Sequence, residues 1–242
     1  MSADILIFPD LAELARQAAA RFAIMAAEAV AARSRFTVAL SGGGTPTDLY
    51  RLLAEASYRD RLPWPHIHLF WGDERCVPPD HPESNFRQAQ ETFISRVPIP
   101  AANVHRILGE LAPDAAVQAY TAALRAFFSA PWPAFDLILL GMGDDGHIAA
   151  LFPGSPALNE TERPVVATTG LYQGRPAQRV TLTLTAINRA CDILVLVAGA
   201  AKAPAVDAVL HGSPAGLPAQ QLHPVAGHLT WLLDQAAAHL KP

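Results

Sequence analysis

Residues 137–147, LILLGMGDDGH, are the most informative segment of the sequence for the fold. It opens with a continuous apolar run, which is typical of a buried strand in a parallel sheet. The glycines that follow allow a sharp exit from the strand and a close approach of the backbone to a ligand. Ligands of open α/β sheets bind beyond the carboxyl ends of the strands, so we expect Asp145 and His147 at the lip of a cleft. The sequence therefore predicts an α/β fold with a working histidine at residue 147.

Strand patterns and helix patterns alternate along the rest of the chain. Strands are predicted at residues 36–40, 66–71, 103–107, 135–140, 165–169, 179–185 and 192–198. Helices are predicted at residues 10–32, from 84 or 85 to about 96, 113–129, 185–190, 203–210 and 227–240, with a brief helix after residue 147. Such alternation implies a doubly wound, mostly parallel sheet covered by helices on both faces. No repeat or linker is visible, which predicts one α/β domain over residues 1–242.

A glycine-rich turn, Ser41 to Thr45, follows the first of these strands. Thr45 has the features of an N-cap, and Pro46 those of a first helical residue. A turn that opens a helix offers backbone N–H groups and the positive end of the helix dipole to an anion. The turn lacks the Gly-Lys-Ser/Thr of a nucleotide-binding P-loop. The three glycines favour an anion site at Gly43, Gly44 and Thr45 over a plain capped turn.

Charged residues stand at two further strand ends. Asp73 and Arg75 follow the second predicted strand, where they indicate either a surface ion pair or a functional pair. Lys202 follows the last predicted strand through a glycine, and it is either a solvated helix residue or a cation beside the anion site. His66 and His68 lack the carboxylates or cysteines that a metal site needs at ligand spacing, so no metal is predicted.

Composition and charge exclude several classes of protein. The net charge of -4 and the lack of a basic run argue against a nucleic-acid partner. No uncharged apolar run reaches the roughly 18 residues that span a bilayer, and the first residues lack a secretory pattern, so a cytoplasmic protein is expected. Cys76 and Cys191 are interpreted as reduced packing residues.

Residues 141–146 match a dinucleotide fingerprint, but Asp144 and Asp145 would repel a pyrophosphate, so no nucleotide cofactor is expected.

Four segments spread over nearly the whole chain carry a family resemblance. They are residues 39–46, residues 71–78 with 84–86, residues 141–154, and residues 179–183 with 187–188. In order and motif they resemble the 6-phosphogluconolactonases, and GMGDDGH followed by LFPG is the most specific match. The resemblance implies lactone hydrolysis and the three-layer α/β fold shared with glucosamine-6-phosphate deaminases. Ile148 and Ala150 depart from the threonine and serine of many lactonases, whereas the sequence at residues 73–75 has the lactonase form.

The resemblance and the strand ends together give a hypothesis for the mechanism. His147 is the expected general base, since a neutral imidazole accepts a proton from water near pH 7. Either Asp145 or Asp73 orients this imidazole or binds sugar hydroxyls. Arg75 is a candidate for stabilising the oxyanion.

The substrate phosphate is expected at the opposite side of the cleft. Its predicted ligands are Gly43, Gly44 and Thr45 with Arg179 and Lys202, because charge-assisted hydrogen bonds hold a phosphate firmly. The expected partner is thus a small sugar-phosphate lactone. No cofactor, metal, nucleic acid or membrane is expected, and the chain is expected to be a monomer or a weak homo-oligomer.

Two other functions stay open at this stage. In a glucosamine-6-phosphate deaminase or isomerase, Asp73 would abstract the proton and His147 would catalyse ring opening. A sugar-phosphate sensor without catalysis is the other alternative. Such regulators usually carry an added DNA-binding domain, for which this chain has neither the length nor a basic segment.

Overall fold

A parallel sheet forms the centre of the fold. The computed structural model describes residues 3–170, 174–212 and 216–239. Its strands are β1 (Asp4–Phe8), β2 (Phe36–Leu40), β3 (Ile67–Trp71), β4 (Asp73–Arg75), β5 (Leu137–Gly141), β6 (Val165–Thr169), β7 (Gln178–Leu182), β8 (Asp192–Val197) and β9 (His228–Asp234). Six strands pair in parallel in the order β1-β9-β8-β5-β2-β3. The carboxyl ends of β2, β5 and β8 therefore meet near the middle of one edge.

Helices flank this sheet. They are α1 (Leu11–Arg33), α2 (Gly44–Leu53), α3 (Ala56–Arg59), α4 (Asn85–Thr92), α5 (Pro113–Phe128), α6 (Leu184–Ile187) and α7 (Ala203–Leu210). Short 3-10 turns lie at Trp64–His66, Ile94–Arg96, Ala101–Asn103, Pro156–Asn159, Ala200–Lys202 and Pro218–Gln221. Every residue of β2 and all but the first of β8 are buried, so both faces of the sheet are covered. This arrangement confirms the predicted α/β fold class.

The first helix shows how local sequence sets an element. Asp10 caps α1 by accepting a hydrogen bond from the Glu13 N–H at 2.8 Å. Leu14, Ala18 and Phe22 then follow at helical spacing on the buried side. Among the residues that the structure describes, no helix is both long and apolar enough to cross a membrane.

A second, antiparallel sheet stands beside the cleft, in the order β4-β7-β6. The chain passes from β3 into β4 through Gly72, whose carbonyl accepts the Leu182 N–H at 2.8 Å. The register pairs Asp73 with Thr181 and Arg75 with Arg179. Strand β7 thereby brings residues from late in the chain next to the charge cluster of β4.

The C-terminal segment contradicts the sequence prediction. Residues 227–240 are predicted as a helix, but β9 occupies most of this segment and pairs with both β1 and β8. Trp231 and Leu232 are adjacent and both buried, so β9 is covered on both faces. Its apolar and polar residues therefore do not alternate as they do in a half-exposed strand. The alanines after β9 favour a helix, but pairing within the sheet overrides their propensity.

Two shorter predictions are also wrong. Residues 103–107 contain the end of a 3-10 turn and a single bridge from Val104 to Leu69 rather than a strand. A turn, not a brief helix, follows His147, and Ala149 within it has a φ of 48°. That left-handed backbone conformation is incompatible with a continuing α-helix.

Two further details differ. The strand predicted at residues 179–185 ends at Leu182, because the Thr183 hydroxyl accepts the Ala186 N–H and caps α6. Cys76 and Cys191 are both free thiols. Cys191 is exposed, so its interpretation as a packing residue is wrong, whereas Cys76 is half-buried.

Candidate active site

A cavity of about 360 Å³ lies where β2, β5 and β8 end, beside β4 and β7. Its size falls in the range of roughly 300–1,000 Å³ that small-molecule sites occupy. The predicted site residues in its lining are Gly43, Gly44, Thr45, Asp73, Arg75, His147, Arg179 and Lys202. Asp145 is not in the lining, but it contacts His147 directly. The structure thus brings the predicted site residues together.

The glycine turn is fixed by a glutamine from α4. Gly43 has a φ of 102°, a conformation that favours glycine. Its N–H donates to Gln88 Oε1 at 3.0 Å, and Gln88 Nε2 donates to the Gly43 carbonyl at 2.8 Å. Because Gln88 takes the Gly43 N–H, the amides at the start of α2, at Gly44 and Thr45, are the donors suited to an anion.

The start of α2 differs from the prediction. The N-cap is Gly43 and the helix begins at Gly44, so Thr45 is a residue of the first turn and not the cap. The Thr47 hydroxyl donates to the Gly43 carbonyl at 2.9 Å. The earlier start leaves Thr45 in the cavity lining.

His147 is paired with Asp145. The distance from His147 Nδ1 to Asp145 Oδ1 is 2.6 Å, and the backbone N–H of His147 donates to the same oxygen at 3.1 Å. The imidazole packs on Phe152 with 4.7 Å between ring centroids. Burial raises the pKa of Asp145, but the hydrogen bonds from His147 outweigh burial and hold that pKa below its usual value. With Nδ1–H donated to a carboxylate, Nε2 is the nitrogen that can accept a proton.

Gly143 makes this close pairing possible. A Cβ at residue 143 would overlap both the His147 ring and the Asp145 carboxylate. The Gly143 N–H also donates to the His147 carbonyl at 2.9 Å and closes the turn. The glycine predicted as a sharp exit from the strand is therefore needed for a side-chain contact, since nothing larger fits there.

Asp73 and Arg75 are buried, so the surface ion-pair interpretation is wrong. Both line the cavity from β4. Asp73 Oδ1 lies 3.3 Å from Asn85 Nδ2, and Arg75 Nη1 donates to the Glu83 carbonyl at 2.6 Å. These contacts hold both side chains at the cavity wall.

Glu74, between them, ties β4 to the start of α4. Its buried carboxylate accepts four hydrogen bonds, from the backbone N–H groups of Arg75, Asn85 and Phe86 and from the Ser84 hydroxyl, at 2.8, 2.7, 2.8 and 3.0 Å. Burial raises the pKa of Glu74, although these bonds oppose the increase. Glu74 therefore has the structural task of fixing the loop that carries the cavity wall.

Arg179 adds a buried positive charge. It pairs with Arg75 across β4 and β7, and its guanidinium carbon lies 5.4 Å from the centre of the Phe152 ring. Its Nε and Nη2 atoms are buried and have no hydrogen-bond partner among the residues that the structure describes. Burial lowers the pKa of Arg179. A buried cation with unused donors is suited to an anionic ligand.

Lys202 reaches the cavity from the end of β8. Gly199, with a φ of 95°, donates its N–H to both carboxylate oxygens of Asp234 at 3.0 Å. This contact anchors the turn that leads through a 3-10 helix to Lys202 and α7. The lysine is thus in the cavity lining, as one of the two sequence interpretations requires.

Asn85 and Arg175 also line the cavity and were not predicted as site residues. Asn85 donates to the Asp73 carbonyl at 2.9 Å, and its side chain occupies the space that a Cβ at Gly42 would need. In the sequence, the Ser-Asn pair predicts only a helix cap, so the contact of Asn85 with Asp73 could not be predicted from it. Arg175 stands before β7 in a segment without a motif. Across the described ranges, 3–170, 174–212 and 216–239, no group of three metal-binding side chains is present.

Comparisons with known proteins add an independent line of evidence. Residues 9–231 match the family described as glucosamine-6-phosphate isomerases/6-phosphogluconolactonase. A 6-phosphogluconolactonase of Synechocystis sp. is 46% identical over 222 residues, which is 89% of each chain. A solved 6-phosphogluconolactonase from Trypanosoma cruzi has a TM-score of 0.87 at 27% identity and covers 98% of this chain and 96% of its own.

The same fold also occurs in a deaminase. A structure described as a monomeric glucosamine-6-phosphate deaminase has a TM-score of 0.85 at 24% identity and covers 98% of this chain and all of its own. At that identity the similarity concerns the fold alone. The choice between the two chemistries therefore depends on relatives of closer sequence and on the site.

Proposed function

Because the chain belongs to the family of glucosamine-6-phosphate isomerases and 6-phosphogluconolactonases, we propose that it opens 6-phospho-D-glucono-1,5-lactone with His147 as general base. Its class of activity is that of a 6-phosphogluconolactonase, a hydrolase of the pentose phosphate pathway. The observation that supports our assignment of roles is the 2.6 Å contact of His147 with Asp145 in a cavity that also holds Arg179 and Lys202.

The proposed chemistry begins at the imidazole. Nε2 of His147 takes a proton from a water molecule as the water oxygen attacks the lactone carbonyl carbon. Asp145 fixes the ring through Nδ1 and stabilises the imidazolium that forms. The imidazolium then gives its proton to the ring oxygen as the carbon–oxygen bond breaks, which yields 6-phosphogluconate and restores the neutral histidine. Such acid–base catalysis typically contributes about 10²- to 10⁴-fold.

Arg75 is proposed to stabilise the tetrahedral oxyanion. The buried guanidinium is held by the Glu83 carbonyl at 2.6 Å, so little reorganisation is needed when negative charge develops. Asp73 lies on the same strand and is held by Asn85, which suits it to bind sugar hydroxyls. The contact of Asp145 with His147 favours Asp145 as the residue that orients the base.

The phosphate is proposed to bind at the start of α2, with Arg179 and Lys202. The amides of Gly44 and Thr45 and the helix dipole provide one side of this site. The expected role of the Gly43 amide is reduced, because Gln88 already accepts its N–H. The charged end of the substrate then positions the lactone carbon near His147.

Two assays on the purified protein test the proposal. Lactone hydrolysis, corrected for the spontaneous rate, is expected to be fast, and glucosamine 6-phosphate is expected to release no ammonia. Ammonia release without lactone hydrolysis would assign the deaminase alternative, in which Asp73 is the base. Binding of 6-phosphogluconate without either reaction would indicate a sensor. A single catalytic domain over residues 1–242, a cytoplasmic location and a monomer or weak homo-oligomer stay predictions.

A further inference from the structure

A carboxylate beside the cavity lies between two of the arginines that line it. Glu83 lies in the loop between β4 and α4, and Arg175 lies just before β7. Oε2 of Glu83 is 3.8 Å from Arg75 Nη1 and 3.8 Å from Arg175 Nε. A second hollow, of about 350 Å³, adjoins the first at Gly43, Gly44 and both arginines, and Glu83 lines it. Glu83 therefore sits where the glycine turn and the arginines face one another.

The contacts of the Glu83 carboxylate are loose. A separation of 3.8 Å is an ion pair but too long for a hydrogen bond. The side chains of Glu83 and Arg175 are 37% and 36% exposed, so solvent screens their attraction. The buried carboxylate of Glu74 nearby, with four hydrogen bonds, provides the contrast within the same loop. Glu83 can therefore move into solvent at a small cost in free energy.

The arginines around this carboxylate repel one another. Burial is the first cause of the lowered pKa of Arg179, and the positive charges of Arg75 and Arg175 add to it. The negative charges of Asp73 and Glu83 act in the opposite direction. In the absence of a ligand, Glu83 thus supplies part of the negative charge that this cluster of cations requires.

We propose that Arg175 is a further phosphate-binding residue, and that the Glu83 carboxylate pairs with Arg175 until the substrate phosphate displaces it. The inference rests on the proposed function, because it concerns the same substrate. A phosphate dianion binds arginines more strongly than one carboxylate held at 3.8 Å does. An unphosphorylated sugar lactone lacks the charge to displace Glu83. Arg175 thereby adds affinity for phosphorylated lactones only, and Glu83 pairs with it when no phosphate is bound.

The test compares 6-phosphogluconate, the reaction product, with gluconate, which lacks only the phosphate. Isothermal titration measures the Kd of the first ligand, and ligand-observed NMR that of the second. Glu83→Gln keeps the shape and the backbone carbonyl that Arg75 uses, so only the competing charge is removed. We expect the Kd of 6-phosphogluconate to fall about two- to five-fold in this variant. In Arg175→Gln it is expected to rise about 5- to 20-fold. The Kd of gluconate should change less than two-fold in both.

A matched control is the pair Arg106–Glu110, which is similarly exposed at 26% and 32% and lies outside both hollows. Arg106→Gln should leave both dissociation constants unchanged. Unchanged or weaker binding of 6-phosphogluconate in Glu83→Gln, an unchanged Kd in Arg175→Gln, or equal changes for both ligands would overturn the inference. The wild-type protein is assayed for lactone hydrolysis in the same preparation. An active wild type with these results refutes only the role of Arg175 and Glu83, whereas an inactive wild type that binds neither ligand refutes the proposed function as well.

Discussion

Replacing Asp145 with asparagine tests how the proposed base is held. The contact to be weakened is the 2.6 Å bond between Asp145 Oδ1 and His147 Nδ1. The amide keeps an oxygen that can accept this hydrogen bond, so the main loss is the negative charge that stabilises the imidazolium. A hydrogen bond to a charged group contributes about 1.5–3 kcal/mol. The Asp145 side chain is 38% exposed, so we take the lower part of this range, about 1.5–2 kcal/mol.

This free energy corresponds to a decrease in kcat of about 10- to 30-fold. Steady-state hydrolysis of 6-phosphogluconolactone, corrected for the spontaneous rate, measures it. KM should stay within about two-fold, because the proposed phosphate ligands are unchanged. Asp145→Ala should reduce kcat further, since it also removes the acceptor of the His147 N–H. Asp144→Asn is the control, because its side chain is exposed and outside the cavity lining. A kcat within two-fold of wild type in Asp145→Asn, or an effect mainly on KM, would show that the charge of Asp145 does not assist His147.

Three further predictions concern phosphate binding, the turn before the base and stability. Lys202→Ala should raise KM by about 10- to 100-fold with little change in kcat, and a main effect on kcat would contradict its role at the phosphate. Gly143→Ala should lower kcat by about 10²-fold, because the new Cβ displaces the His147–Asp145 pair, and full activity would show that the pair need not be so close. Burial and the nearby His68 lower the pKa of His105 to about 4, so this side chain is neutral when folded. Protonation of this histidine therefore favours the unfolded state, and the free energy of unfolding should be about 1–2 kcal/mol lower near pH 4 than above pH 6.5, after allowance for solvent screening. Urea denaturation at pH 7 and pH 4.5 measures this loss. The loss should be smaller in His105→Gln.

The central strands and the histidine turn were predictable from sequence because their causes are local. A continuous apolar run ending at Gly141 forms a strand wherever it is covered on both faces, as β5 is. The glycines around Asp145 and His147 likewise mark a turn at a strand end. The mistaken helix at residues 227–240 shows the limit of this approach, since pairing with β1 and β8 decides its structure.

Site contacts between distant segments could not be predicted in the same way. The pairing of Arg75 with Arg179 depends on the register of β4 and β7, which no short motif encodes. Asn85 has the sequence of a helix start, yet its amide reaches Asp73. Arg175 has no motif at all, and its neighbour Glu83 comes from a loop far away in the sequence. The spacing of these residues in the sequence allows either Asp73 or Asp145 to contact His147, and the tertiary structure shows that Asp145 does so.

Whether His147 is the general base is decided by the rate of lactone hydrolysis by His147→Ala, measured together with the affinity of this variant for 6-phosphogluconate. We predict a kcat at least about 10²-fold below that of wild type, with a Kd within about two-fold of it, since the proposed proton transfer needs the imidazole and the proposed phosphate site lies elsewhere in the cavity. A variant that still hydrolyses the lactone at the wild-type rate would contradict the account.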